Sequence, residues 1–134
     1  MSKNILITIF LFISLINFVS SSEEKEFTCL TNYLTKLNKN TIYQFAIDFD
    51  KCILSQDKYK YLYDYLSILS FYKIKYDYSA MCHANVSKFD AKPVLALIIG
   101  AIRAERMSDG VRLSFLKDGC LIRWIKRLKD IDNQ

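Results

Sequence analysis

Residues that interrupt regular structure are almost missing from this chain. Of 134 positions only Pro93, Gly100, Gly110 and Gly119 are proline or glycine, and all four lie in the C-terminal half. A β-sandwich of this length needs a turn roughly every 8 to 12 residues, built from the residues that are absent here. Helices remain, and the apolar spacing agrees. Phe27, Leu30, Leu34 and Leu37 recur at i, i+3, i+7 and i+10, one helical stripe. Ile42, Phe45, Ala46, Phe49, Cys52 and Ile53 form a sharper stripe. Thr41 with Gln44 three residues on matches a capping box, which would start this second helix near residue 41.

The most aromatic stretch, Lys58 to Tyr78, begins with tyrosine at 59, 61, 63 and 65, the alternation of a strand. Beyond Tyr65 the apolar residues Leu66, Ile68, Leu69, Phe71, Tyr72 and Ile74 fall on both parities, so the alternation fails. At helical spacing two stripes emerge: Tyr61, Tyr65, Ile68, Tyr72 and Tyr76, and beside it Tyr59, Leu62, Leu66 and Leu69. The spacing predicts one long central helix from Ser55 to about Tyr76. Its more aliphatic stripe faces the bundle, leaving Tyr61, Tyr65, Tyr72 and Tyr76 toward a pocket or the rim.

Farther along, Ser79 is placed to cap a short helix bearing Cys82, Val86 and Phe89. Pro93 suits the first turn of the next helix, where its missing N–H is not needed. That helix carries Val94, Leu97, Ile98, Ala101 and Ile102 as its buried stripe, with Ala96, Gly100 and Ala104 as a smooth groove for a close neighbour. Residues 111–118 fit a short helix or an extended segment equally. From Cys120 a last amphipathic helix turns Leu121, Ile125 and Leu128 inward and carries Arg123, Lys126, Arg127 and Lys129 on its polar side. The expected fold class is all-α, a small disulfide-stapled bundle of five or six helices.

The first 22 residues stand apart. Lys3 precedes an apolar run of 15 residues, Ile5 to Val19, followed by Ser20, Ser21 and Ser22, the layout of a secretory signal peptide. The run is short of the roughly 20 residues a membrane span needs, and stable membrane insertion is not expected. The expectation is a cleaved leader, 1–22, and a single helical domain, 23–134, secreted to the extracellular space. Removal of Lys3 leaves 18 basic and 14 acidic side chains, a balance too mild to name nucleic acid as partner.

An even cysteine count in an oxidising compartment reads as disulfides, and Cys29, Cys52, Cys82 and Cys120 allow three connectivities. In an antiparallel helical hairpin residues equidistant from the turn face each other, because both helices rise at the same 1.5 Å per residue. Cys29 and Cys52 are centred on Asn40/Thr41, where the turn is expected. A Cys52–Cys82 bridge would be centred inside the tyrosine helix. The geometry therefore selects Cys29–Cys52 and Cys82–Cys120, each worth about 3 to 4 kcal/mol in loop entropy.

Catalysis is hard to assemble from this inventory. His83 is the single histidine and diverges from its neighbour Cys82 by about 100° on a helix, so no Cys–His nucleophile forms and the ring is expected in solvent. Asp48 and Asp50 point apart for the same reason and read as surface. No CxxC, HExxH or glycine-rich phosphate loop occurs, so no metal or other cofactor is expected. Asn85-Val86-Ser87 is an N-glycosylation acceptor.

Binding is what remains. The chain holds more tyrosine and tryptophan than a bundle of this size comfortably hides, and aromatics with polar tips anchor protein interfaces. Tyr61, Tyr65, Tyr72, Tyr76 and Trp124 are the candidate contact residues. The first expectation is a non-enzymatic secreted effector or signalling-type protein acting on an extracellular or host protein partner. The alternative is a carrier of a small hydrophobic ligand between helices. In its number of cysteines and helical design the chain loosely resembles insect odorant-binding proteins that lack one disulfide; its cysteine intervals differ from theirs and no residue roles carry over.

Overall fold

The computed structural model describes residues 25–134. The leader and its cleavage region lie outside the described residues. Within them the chain is helical, with no strand. Seven α-helices follow one another: α1 Thr28–Thr31, α2 Ile42–Phe49, α3 Tyr65–Phe71, α4 Tyr78–His83, α5 Ala91–Ala104, α6 Val111–Lys117 and α7 Cys120–Asp132. Three 3₁₀ segments, Asn32–Thr35, Asp57–Asp64 and Val86–Lys88, and a π turn, Asp50–Leu54, extend or join them. The helix count therefore exceeds the five or six expected.

The excess comes from subdivision. Residues 55 to 76 are two short helices, not one long one. Over Asp57–Asp64 the chain is wound as a 3₁₀ helix, in which residues three apart eclipse, so Tyr59 and Leu62 share the buried side. At Tyr65 it relaxes to α, which buries Ile68 and Leu69. The phase change leaves Leu66, expected inward, half in solvent. The helix then stops at Lys73, whose φ of 60° is left-handed. Lys73 N–H donates to Ser70 O at 2.9 Å and Ile74 N–H to Leu69 O at 2.9 Å, the paired bonds of a Schellman cap. Buried Ile74 and Leu69 supply the apolar half of that motif.

The central element is instead α5. Ten consecutive residues, Pro93 to Ile102, are buried, where a single stripe was expected. An all-round apolar helix must be covered on every side, and α3, α6, α7 and the Asp57–Asp64 segment pack on it. The small-residue groove is filled by side chains: a Cβ at Gly100 would lie 3.1 Å from Met81 Cε and 3.3 Å from Tyr76 Cε1. Residues 111–118 resolve as helix α6, entered through Gly110 at φ 84°, and α7 is entered through Gly119 at φ 80°, conformations that favour glycine.

The disulfides join Cys29 to Cys52 and Cys82 to Cys120, with Cα–Cα distances of 6.7 and 5.2 Å. The first staples α1 to the π turn after α2 across the turn at 38–41; the second ties α4 to the start of α7. Two expected caps are replaced. Thr41 makes no side-chain cap and its hydroxyl donates to Lys36 O at 2.7 Å, while Gln44 donates to Asp48. Asp77, not Ser79, caps α4, accepting from Ala80 N–H at 2.7 Å.

The left-handed Lys73 generates a stability prediction. Glycine adopts this conformation without the Cβ clash that lysine suffers. Lys73→Gly is expected to leave the fold unchanged and raise unfolding free energy by about 0.5 to 1 kcal/mol, measured by denaturant titration. A loss of stability would mean that the helix ends elsewhere.

Candidate functional site

The nine tyrosines divide by what their hydroxyls do. Tyr33 donates to Asp48, Tyr59 to Glu26, and Tyr78 to Asp118 and to Ser114 O. Tyr76 donates to Gly100 O at 2.9 Å, inside the core helix. These four tie chain segments together. Burial first, and then the bond to Asp48, push the Tyr33 phenol up to about 12. Burial and Asp118 do the same to Tyr78, also to about 12. Asp48 is held below the usual carboxylate range, chiefly by the Tyr33 hydroxyl. The Asp48–Asp50 pair is thus two separate structural contacts: Asp50 meets Arg103 of α5 at 3.3 Å.

The remaining five tyrosines are Tyr43, Tyr61, Tyr63, Tyr65 and Tyr72. Tyr65 rests edge-on against Tyr76, ring centroids 5.7 Å apart. Tyr61 and Tyr72 are brought together across a surface hollow of about 400 Å³ that is also lined by Asp64, Ser67, Ile68, Phe71 and Lys92. The local winding explains the grouping. Tyr61 and Asp64 are three apart on the 3₁₀ segment and so stand one above the other, and Ile68, Phe71 and Tyr72 continue that side at α spacing. Lys92, from the first turn of α5, lays its Nζ 4.9 Å from the Tyr61 ring centroid, a cation–π contact.

Phe71 dominates the hollow's rim. It is 79 % exposed, its ring edge-on to Tyr72 at 5.2 Å. Tyr63, 67 % exposed, and Leu66 add apolar surface on the same stretch of chain. Phe71 belongs to neither stripe of the expected long helix, and that was the available signal for a ring turned to solvent.

Of the five candidate contact residues, then, Tyr61 and Tyr72 line this hollow. Tyr65 and Tyr76 pair with each other apart from it. Trp124 is a correction: it is wholly buried, stacked at a tilt on Phe115 with centroids 5.5 Å apart, because α7 turns it toward α6 beside Leu121 and Ile125. His83 is exposed, its Nδ1 2.7 Å from Ser79 O, a geometry that engages the ring with backbone rather than with a nucleophile. Asn85 is exposed, and its Oδ1 accepts from Ser87 N–H and Ser87 Oγ–H at 3.2 and 2.8 Å. Among the described residues no group of three or more metal-ligating side chains converges, and no helix is long and apolar enough to cross a membrane.

Against known proteins, no family model, no curated protein and no solved structure matches this chain.

The Tyr33–Asp48 contact makes stability depend on pH in a definite window. The carboxylate's pKa is lowered on folding and the phenol's raised. The contact's contribution is therefore complete between their ordinary values of 3.8 and 10.0. It is lost below that window as Asp48 protonates, and above it as Tyr33 ionises toward about 12. Denaturant unfolding of the native chain and of Tyr33→Phe is expected to converge between pH 10 and 12. A difference that persists unchanged across that interval would show that ionisation of Tyr33 is not coupled to the contact.

Proposed function

We propose that this protein is a secreted, non-enzymatic effector or signalling-type protein that binds an extracellular protein partner through the aromatic face around Phe71. The observation that carries the reading is the 79 % exposure of Phe71 beside a hollow walled by Tyr61 and Tyr72 on a disulfide-braced body. A large exposed aromatic costs solubility unless something covers it, and aromatics at the centre of a patch are the usual anchors of protein interfaces. Secretion is supported by the leader-like first 22 residues and by two disulfides, which persist in oxidising compartments. The exposed sequon at Asn85 supports a glycan there.

A second reading, carriage of a small hydrophobic ligand, is favoured by the hollow's volume of about 400 Å³, within the range of ligand sites. It ranks second because Asp64, Ser67, Phe71 and Lys92, four of the seven lining residues, are exposed, and a carrier usually encloses most of its cargo.

Phe71→Ala and Tyr72→Ala distinguish the two. Because Phe71 is exposed, its truncation should leave the thermal melt unchanged. Binding to a partner captured from the extracellular fraction and then purified is expected to weaken by roughly thirtyfold, the loss of one anchor of about 2 kcal/mol. Saturable uptake of an apolar fluorescent probe by the native protein, abolished in Tyr72→Ala with partner binding intact, would favour the carrier instead.

A further inference from the structure

A second surface, on the opposite flank of residue 89 from the hollow, carries a different chemistry. Arg123, Lys126, Arg127 and Asp130 recur at i, i+3, i+4 and i+7 on α7 and so share one face. Together with Asn85 and Ser87 from the neighbouring 3₁₀ turn they line a groove of about 210 Å³. Both arginines are aimed by backbone: Arg123 Nη2 donates to Cys82 O, and Arg127 Nε donates to Phe89 O at 3.0 Å. Fixing one donor to a carbonyl holds each guanidinium in place and leaves its other N–H groups for a ligand. Neither arginine nor Lys126 enters an ion pair among the described residues. Asp130 is the one acidic side chain in the groove's lining, so the lining keeps an excess of positive charge.

We propose that this groove is a binding site for a sulfated polysaccharide. Planar guanidinium forks match tetrahedral oxyanions, and Lys126 adds a mobile point charge between them. Two other polyanions fit less well. Tyr43, Tyr63, Leu66, Phe71 and Met107, the large exposed hydrophobics, all lie off this groove, so it offers nothing to insert between lipid chains. Nor does it offer an aromatic platform for stacking single-stranded bases. This site is independent of the aromatic face and would stand if that reading failed.

Lys126 is exposed and enters no ion pair among the described residues, so its reversal tests the groove with little cost to the fold. The disulfide-bonded protein, Lys126→Glu and Lys39→Glu, the same charge change on the exposed turn between α1 and α2, are each titrated with heparin over a range of salt. Parallel titrations use a single-stranded RNA homopolymer and phosphatidylserine vesicles. Native protein is expected to bind heparin more tightly than the other two polyanions. Lys126→Glu should weaken heparin binding by roughly fivefold or more at about 0.15 M salt and reduce the salt slope, while Lys39→Glu should change neither by more than about twofold. No heparin binding by the native protein, equal losses in both variants, or tighter binding to RNA or vesicles overturns the proposal. If Lys126→Glu melts early, Lys126→Gln and Lys126→Ala replace it as the milder variants, and unchanged heparin affinity in both is equally decisive against it.

Discussion

Pro93 to Ile102 lose contact with water on folding, and a helix can do so only if neighbours cover its whole circumference. Each large aliphatic in this run, among them Val94, Leu95, Leu97, Ile98 and Ile99, contributes about 1.5 to 3 kcal/mol by burial. Together they outweigh what either disulfide can add. The placement of the other helices follows from this need. α3 covers one side, α6 and α7 others, and Tyr76 reaches in to Gly100, where a Cβ would crowd its ring at 3.3 Å. The disulfides, Cys29–Cys52 and Cys82–Cys120, fasten further pairs of elements: α1 to the π turn after α2, and α4 to the start of α7.

How the tyrosines are used accounts for much of the unusual composition. Tyr33, Tyr59 and Tyr78 each put a ring into the apolar interior and a hydroxyl on a carboxylate, Asp48, Glu26 or Asp118, at the surface. Each joins segments distant in sequence, by 15, 33 and 40 residues. A phenol suits this because it stays protonated, and so a donor, over the whole physiological range. The acidic residues that might have suggested acid–base chemistry are occupied as acceptors. What is left for contact is the remainder of the aromatic set, concentrated between Tyr61 and Tyr72.

Legibility followed local rules closely where those rules were obeyed. The stripe from Ile42 to Phe49 was readable because a regular helix repeats its geometry, and the π turn that continues it brings Cys52 to Cys29 where hairpin symmetry required. Glycines 110 and 119 lie at real boundaries, each immediately before a helix. The tyrosine segment was misread because its break carries no mark. Eight residues of 3₁₀ winding are unusual, and the helix after them ends in a left-handed lysine where glycine is the ordinary signal. The core helix announced itself as an uninterrupted apolar run, PVLALIIGAI, which means burial on all sides; reading it for a single stripe discarded that information. Trp124 illustrates a different loss. Aromatic composition suggests a contact surface, but which way a tryptophan points depends on packing against Phe115, a neighbour set by the turn at Gly119.

The hollow and the basic groove share a structural neighbour in Phe89. Phe89 packs its ring against Tyr72, centroids 5.4 Å apart, on the aromatic side. Its carbonyl accepts from Arg127 on the basic side. One residue in a short connection thus positions a wall of the hollow with its side chain and a cation of the groove with its backbone. The segment carrying it, from Ala84 to Asp90, has only the Val86–Lys88 turn as regular structure, and it is fastened at its start by the Cys82–Cys120 disulfide and at its end by the first turn of α5. A shift of Phe89 away from Tyr72 would also move the carbonyl to which Arg127 donates.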